Sequence, residues 1–223
     1  MEGGTNVNVG ILGSGDVARA LGAGFHKYGH DVMLGSRAPA KLTAWSAEHP
    51  GARVGSFAEA AGHGEVVVLS VSGRAAEQAL SAAGAENLNG KPVIDTTNPI
   101  ADAPPDNGVL RYFTDLNESL MERLQERFPE ALFVKAFNSV GNPHMVDPRF
   151  EGGTPTMFIC GDNDGAKRTV RGILEQFGWE VADMGGAEGA RAIEPLCMLW
   201  CIPLLLRGEG DHAFRLLKRA GGT

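Results

Sequence analysis

Short apolar runs alternate along most of the chain with longer stretches in which apolar residues recur at helical spacing. The first apolar run covers residues 7–12 and the second covers residues 31–34. Between them, residues 16–28 place Val17, Leu21 and Phe25 on one face of a helix. Apolar runs of this length are typical of buried parallel strands, so the segment predicts the strand, helix and strand of a βαβ unit.

The same alternation continues through the rest of the chain. It predicts strands over residues 52–55, 65–70, 93–96, 132–136, 156–160 and 179–182, and helices over 41–48, 57–61, 75–83, 117–128 and 166–177. Strands that alternate with helices predict an α/β fold, a Rossmann-type doubly wound parallel sheet. We expect residues 1–185 to form this domain. Residues 186–223 are expected to form a C-terminal helical extension, with helices over 189–206 and 211–219, packed on the same domain or on a dimer partner.

The turn between the first strand and its helix is rich in small residues. Gly13-Ser14-Gly15 precedes Asp16 and Val17, and an alanine comes next, which completes a G-x-G-x-x-A pattern. Glycine lets the backbone approach a pyrophosphate closely, and the free N–H groups at a helix start attract the anion. Because this turn follows a predicted strand and opens a predicted helix, these five residues are predicted to bind a dinucleotide.

The second strand ends in Ser36-Arg37 instead of an acidic residue. Proteins that bind NAD usually place Asp or Glu there, where the carboxylate accepts from the ribose 2′-hydroxyl. A carboxylate would repel the 2′-phosphate of NADP, whereas a guanidinium binds it through two hydrogen bonds and a serine hydroxyl donates another. Lys41, one helical turn further, adds a second positive charge. These residues predict NADP(H) as the cofactor.

Small or polar residues also follow three other predicted strands. In a doubly wound sheet the ligand lies across the carboxyl ends of the strands, so the residues after each strand are candidates for the site. Ser70 and Val71 follow one strand, Asn98 and Pro99 follow the next, and Asn138 follows a third. Asn98 and Asn138 together indicate a pocket for the nicotinamide.

Composition and charge narrow the possible partners. The 223 residues carry a net charge of −7 with no basic run, so we do not expect nucleic acid as a partner. Residues 1–6 lack the basic and apolar segments of a secretory signal, and we expect a cytoplasmic location. The most apolar stretch, residues 196–206, is shorter than a bilayer crossing and has Pro195 and Pro203 nearby, which favours a buried or interface helix and no membrane.

The three cysteines are Cys160, Cys197 and Cys201. Free thiols that behave as small buried apolar groups suit a reducing compartment, and no disulfide framework is expected. Cys197 and Cys201 are one helical turn apart and His212 is nearby in sequence, which raises the possibility of a metal site. Their neighbours are apolar and no second Cys/His pair has zinc spacing, so we expect no bound metal.

Several segments together resemble a known family. They are GILGSGDVARALGAGF, LGSR, VVVLSV, VIDTTNPI, VKAFNSV and MFICGDNDGAKRTVRGILEQFGW. The chain resembles the NADP oxidoreductase family that depends on the deazaflavin coenzyme F420, and it is also similar to the cytosolic domain of STEAP-type metalloreductases. The resemblance covers nearly the whole chain, without the membrane helices of the metalloreductases. The KAFN and ICGDN segments are much more specific to this family than the glycine turn is.

This resemblance implies roles for particular residues. The glycine turn would hold the pyrophosphate, the Ser36-Arg37 pair would hold the 2′-phosphate, and Ala136, Phe137 and Asn138 would lie beside the nicotinamide. The implied reaction is hydride transfer between NADP(H) and a flavin or deazaflavin, a small-molecule acceptor. The family also implies a homodimer that pairs through the C-terminal helices.

The residues themselves leave alternatives open. The sequence shows no Ser/His/Asp order and no carboxylate pair that would mark acid–base catalysis, and we predict no catalytic side chain. His144, after the KAFN segment, is the one histidine considered as a contact to substrate. An NADPH-dependent reductase of a small carbon–nitrogen double bond, of the imine type, is the alternative enzyme. A non-catalytic redox sensor that binds NADPH is the alternative from another class.

Overall fold

Six parallel strands form the central sheet of the computed structural model, which describes residues 6–219. The strands are β1 (Asn8–Leu12), β2 (Asp31–Gly35), β3 (Arg53–Gly55), β4 (Val66–Leu69), β5 (Pro92–Asp95) and β6 (Leu132–Lys135). Their order across the sheet is β3-β2-β1-β4-β5-β6, and each neighbouring pair is parallel. The order changes direction beside β1, which confirms the predicted doubly wound, Rossmann-type α/β fold.

Helices cover both faces of this sheet. They are α1 (Asp16–Lys27), α2 (Thr43–Glu48), α3 (Phe57–His63), α4 (Ala76–Ala83), α5 (Leu120–Arg127), α6 (Asp164–Gln176) and α7 (Ala190–Arg207). Successive strand residues point to opposite faces, so the buried strands feed two apolar clusters. In β4, Val66 and Val68 pack in one cluster with residues of α1 and α6, while Val67 and Leu69 pack in the other with α3, α4 and α5.

The last two strands do not extend the central sheet, contrary to prediction. β7 (Thr156–Ile159) and β8 (Glu180–Asp183) form a separate parallel pair. A single antiparallel bridge, Lys135 to Cys160, joins β7 to β6. The next residue, Gly161, has φ +159° and crosses so close to β6 that a Cβ would lie 2.4 Å from the Phe133 carbonyl oxygen. Gly161 therefore packs on the β6 backbone, and β7 joins β6 through the Lys135–Cys160 bridge instead of a continuous ladder.

The prediction of a helix over residues 211–219 was wrong. α7 ends at Arg207, its C-cap Gly208 has φ +72°, and the segment after Gly208 is not helical. Thr156 of β7 donates its N–H to the carbonyl of Phe214 at 2.9 Å, and its Oγ1 accepts the N–H of Leu216 at 3.0 Å. These long-range hydrogen bonds to β7 replace the local bonds that a helix would have made.

α7 is mainly apolar, with Arg191 and Glu194 as the charged residues of its first half. Ile193 of that half lies in the core, whereas Leu199 and Leu206 are more than half exposed. Pro195 and Pro203 lie within the helix, as the predicted helical extension implied. Among the described residues, the segment Ala187–Arg207 is long and apolar enough to cross a membrane by length and composition alone, and 28% of its window is buried inside the protein.

Candidate functional site

The carboxyl ends of four neighbouring strands open into one cleft of about 800 Å³. It lies where the sheet order changes direction, the usual ligand position in this fold. Ten of the predicted site residues line it: Ser14, Gly15, Asp16, Val17, Ser36, Arg37, Lys41, Ser70, Val71 and Asn98. The other five are buried and do not line it: Gly13, Pro99, Ala136, Phe137 and Asn138.

The glycine turn after β1 is shaped by two different requirements. Gly13 has φ +156°, and a Cβ there would lie 2.2 Å from the Ser70 carbonyl oxygen, so this position packs against the strand behind it. A Cβ on Gly15 would meet nothing within 4 Å. Gly15 therefore presents bare backbone to the cleft, which leaves room for a phosphate.

The start of α1 has unused hydrogen-bond donors. Its N-cap is Gly15, and no side chain accepts from its first turn. By contrast, Ser56 caps α3 and Ser119 caps α5, each with a glutamate completing a capping box. The first N–H groups of an uncapped helix need acceptors from elsewhere, and they lie at its positive dipole end. The start of α1 thus fits a pyrophosphate group.

Ser36, Arg37 and Lys41 form the end of the cleft beyond β2. The Ser36 N–H donates to the Gly55 carbonyl at 2.9 Å, and its Oγ accepts from the Ala38 N–H at 3.1 Å, so the hydroxyl proton remains available. The Arg37 and Lys41 side chains are exposed at the cleft. Two cations and one hydroxyl donor without an acid at this end fit a 2′-phosphate and disfavour a bare ribose.

An interlocked pair of amides closes the other end. Asn98 donates from Nδ2 to the Asn138 carbonyl at 2.9 Å, and Asn138 donates from Nδ2 to Asn98 Oδ1 at 3.1 Å and to the Ile193 carbonyl at 3.0 Å. Asn98 lines the cleft, whereas Asn138 is buried behind it. The structure therefore brings the two predicted asparagines together, with Asn138 fixing the orientation of Asn98.

Ala136 and Phe137 are part of the core. Both are essentially fully buried, and the Phe137 ring packs against Phe177 with ring centroids 6.2 Å apart. Phe137 has φ +60°, an uncommon backbone conformation for an aromatic residue. Its N–H lies 3.1 Å from Met157 Sδ. Contact of these residues with the nicotinamide stays a prediction, as does contact of Gly13 and Pro99 with the cofactor.

A buried ionic network lies at the ends of β5 and β6. Lys135 Nζ lies 2.7 Å from Asp95 Oδ2 and 2.8 Å from Glu194 Oε1. The Glu194 carboxylate also accepts from the first N–H groups of α5, Leu120 at 3.0 Å and Met121 at 3.1 Å. Burial alone would lower the pKa of Lys135, but the two carboxylates outweigh it and hold that pKa above its ordinary value. The network fastens α7 to the sheet.

His144 does not line the cleft. Its Nε2 lies 3.0 Å from Asp211 Oδ1, and its ring packs on Phe150 with centroids 5.1 Å apart. Asn142, two residues earlier, reaches the cleft instead.

Sequence reasoning missed two groups of residues at this site. The first consists of cleft residues that come slightly later after β4 and β5, such as Arg74, Gln78 and Ile100. The strand-end rule that selected Ser70 and Asn98 could have found them had it been extended by a few residues. The second group is the buried network, whose signal was a charged residue inside each of two apolar strands, as in VID and FVK.

Comparison of sequences identifies relatives. Residues 8–99 match the family described as NADP oxidoreductase, coenzyme F420-dependent. The chain is 34% identical over 203 residues to metalloreductase STEAP3 of Rattus norvegicus. The aligned residues cover 89% of this chain and 38% of that protein. It is 27% identical to metalloreductase STEAP2 of Homo sapiens, with 90% and 38% covered. The chain thus spans about two fifths of the length of these curated relatives.

Solved structures agree with this placement. A reductive aminase from Aspergillus terreus, in complex with NADPH4, cyclohexanone and allyl amine, shares the fold with a TM-score of 0.63. It is 20% identical, and the alignment covers 87% of this chain and 60% of that one. A protein assigned as an F420-dependent NADP reductase from Arthrobacter sp. FB24 is 33% identical with a TM-score of 0.89, covering 96% and 100%. The chain therefore belongs to the coenzyme F420-dependent NADP oxidoreductase family.

Proposed function

We propose that this protein transfers a hydride between NADP(H) and a flavin or deazaflavin. One observation carries the proposal: among the described residues that line the cleft, Asp16 is the single carboxylate, Lys41 is the single lysine, and there is no histidine. Asp16 and Lys41 belong to the phosphate end, so the residues that line the nicotinamide end include no carboxylate, histidine or lysine. A flavin-type ring suits such a site because it accepts hydride directly and exchanges its proton with water.

The chain's own residues would bind and orient the two reactants. The bound cofactor supplies the hydride chemistry. The start of α1 would hold the pyrophosphate and Arg37 the 2′-phosphate, which fixes the cofactor along the cleft. Asn98, held by Asn138, has its carboxamide engaged and rigid, and would set the far wall against which the nicotinamide rests. Rate enhancement would come mainly from holding the two rings in a reactive geometry.

The test is NADPH oxidation followed by absorbance with three kinds of acceptor: riboflavin or FMN, a deazaflavin, and a cyclic imine. We expect turnover with the flavin or deazaflavin acceptors. Turnover of the imine alone would replace the proposal with carbon–nitrogen reduction, in which the product nitrogen must be protonated. NADPH binding without oxidation in any mixture would favour the redox sensor.

We further propose that the protein forms a homodimer through α7. Its exposed leucines, among them Leu199, Leu205 and Leu206, form an apolar surface that a second copy would cover. Light scattering should give twice the chain mass, and Leu205→Glu should shift it toward the monomer, while Leu116→Glu, at another exposed leucine, should not. A monomer that sediments with lipid vesicles would instead assign this surface to a membrane.

A further inference from the structure

Arg74 is a cleft residue that the cofactor assignment leaves unused. It lies in a short 3-10 turn, Gly73–Ala75, directly after β4. Gly73 packs so tightly on the neighbouring segment that a Cβ there would lie 2.0 Å from the Asn98 carbonyl oxygen. This close approach fixes the turn against the residues after β5, so Arg74 lies at the Asn98 end of the cleft.

The guanidinium of Arg74 is paired with a carboxylate at the mouth of the cleft. Nη1 lies 2.6 Å from Asp102 Oδ2, and the two side chains are 52% and 81% exposed. Asp102 follows Ile100 and Ala101, which line the cleft after β5. Exposed ion pairs of this kind are weak and are screened by solvent, so a more highly charged anion could displace Asp102.

The position of Arg74 separates it from the proposed 2′-phosphate site. Arg37 and Lys41 follow β2, whereas Arg74 and Asp102 follow β4 and β5. Neighbouring strands are about 4.8 Å apart, so the end of β4, two steps from β2, is roughly 10 Å from the end of β2, and the end of β5 is roughly 14 Å from it. Pairing with Asp102 also draws the guanidinium toward β5, on the side away from the glycine turn after β1.

We propose that Arg74 binds a phosphate group on the acceptor, which displaces Asp102 from the guanidinium. This inference rests on the proposed function and narrows it to phosphate-bearing flavin-type acceptors. A phosphate offers several acceptor oxygens and more negative charge than a carboxylate, and a guanidinium binds it through two parallel hydrogen bonds. Gln78, which also lines this wall, supplies a further amide donor.

Riboflavin and FMN provide a direct test because they differ only in the terminal phosphate. The wild-type protein should show a higher kcat/KM with FMN than with riboflavin. Arg74→Ala should lower kcat/KM for FMN by about tenfold or more, mainly through KM, and change the value for riboflavin by less than about twofold. Asp102→Asn should lower the KM for FMN, because it removes the competing carboxylate.

Arg53→Ala is the matched control. The Arg53 side chain is also 52% exposed and pairs with Asp31 at 2.5 Å, but it lies on β3 outside the cleft lining. Arg53→Ala should leave kcat/KM for both flavins, and the Kd for NADPH, unchanged. A fluorescence titration of Arg74→Ala with NADPH is the second readout, and we expect a Kd within about twofold of wild type.

Four results would overturn the inference. Equal losses for riboflavin and FMN would give Arg74 a structural role, and a loss of NADPH affinity would assign Arg74 to the cofactor. Riboflavin turnover equal to FMN turnover in the wild type would reject a phosphate subsite while the proposed function stands. If neither flavin nor deazaflavin oxidised NADPH or bound to the NADP⁺ complex, the proposed function would fail and this inference with it.

Discussion

At the scale of single residues, cofactor choice depends on the two residues at the carboxyl end of β2. Ser36 and Arg37 occupy the position where an acid would accept from a ribose hydroxyl, and both line the cleft. The Ser36 backbone N–H donates to the Gly55 carbonyl, and its hydroxyl oxygen accepts from the Ala38 N–H. The Arg37 guanidinium is exposed and is able to bind a phosphate. We therefore expect any preference for NADP over NAD to depend mainly on the Arg37 guanidinium at this strand end.

Arg37→Ala should separate the two nicotinamide cofactors. Loss of a charge-assisted contact to the 2′-phosphate costs about 1.5–3 kcal/mol, which raises the Kd for NADPH roughly 10- to 100-fold. The Kd for NADH should change little because it has no such phosphate. Fluorescence titration measures both constants, with Arg53→Ala as the control. Equal weakening of both cofactors would show that Arg37 does not bind the 2′-phosphate.

Gly15→Val should abolish cofactor binding without unfolding the protein. The new side chain enters open space in the structure, but that space lies where the pyrophosphate would approach the backbone. Gly172→Val on α6 is a matched control, because a Cβ there also meets nothing within 4 Å. Circular dichroism melts should show folded proteins in both cases, and titration should show binding only for the control. Retained binding by Gly15→Val would place the phosphates elsewhere.

At the scale of elements, the sequence predicted those helices and strands that local sequence patterns determine. The first βαβ unit was predicted correctly because glycines, apolar spacing and strand length all lie within about 30 residues. The sequence did not predict that β7 pairs with β8 alone, nor the course of residues 211–219. Hydrogen bonds between distant segments determine both. The interlock of Asn98 with Asn138 also spans distant segments, so sequence could place both near the site but not show which one faces it.

The buried ionic network of Lys135, Asp95 and Glu194 also acts between elements, because it joins α7 and the start of α5 to β5 and β6. Lys135→Met should destabilise the fold by about 3–5 kcal/mol, because it leaves Asp95 and Glu194 buried without their cation. Urea unfolding measures the change. Lys218→Met, at an exposed position, should stay within about 0.5 kcal/mol of wild type. A loss below about 1 kcal/mol for Lys135→Met would mean that water reaches the carboxylates.

Asp147 links the end of α1 to the segment before β7. Hydrogen bonds from Lys27 and Tyr28 hold the pKa of its carboxyl below the ordinary value. A lowered folded-state pKa stabilises the protein above the unfolded value near 3.9, and this contribution disappears as pH falls through the folded-state pKa. Asp147→Asn should therefore cost about 1 kcal/mol at neutral pH, limited by the 64% exposure of Lys27.

The difference between wild type and Asp147→Asn should shrink as the pH is lowered below about 5. Asparagine tolerates the φ of +52° found at this position, so the substitution changes charge more than backbone. Urea unfolding at several pH values measures the difference in unfolding free energy between wild type and Asp147→Asn. Asp106→Asn, which changes an exposed carboxylate, is the control. A gap that does not depend on pH would show that the ionised carboxylate contributes nothing.

At the scale of the whole molecule, the cleft draws its walls from the turns after β1, β2, β4 and β5. These turns come from distant parts of the chain, and both apolar clusters lie beneath them. A ligand that contacts all four turns stabilises only the assembled sheet, because unfolding separates the groups that bind it. Cofactor binding should consequently raise the stability of the entire domain, and the size of the effect should depend on the 2′-phosphate.

Thermal unfolding tests this coupling. NADPH at about 100 times its Kd should stabilise the native state by about 2.7 kcal/mol, which raises Tm by roughly 5–11 °C for a domain of this size. NADH at the same concentration, bound about 10- to 100-fold more weakly, should contribute on the order of 0.4–1.4 kcal/mol and a correspondingly smaller shift. In Arg37→Ala the two shifts should become similar. Equal shifts in the wild-type protein would mean that the cleft does not distinguish the cofactors and that the charges after β2 serve another ligand.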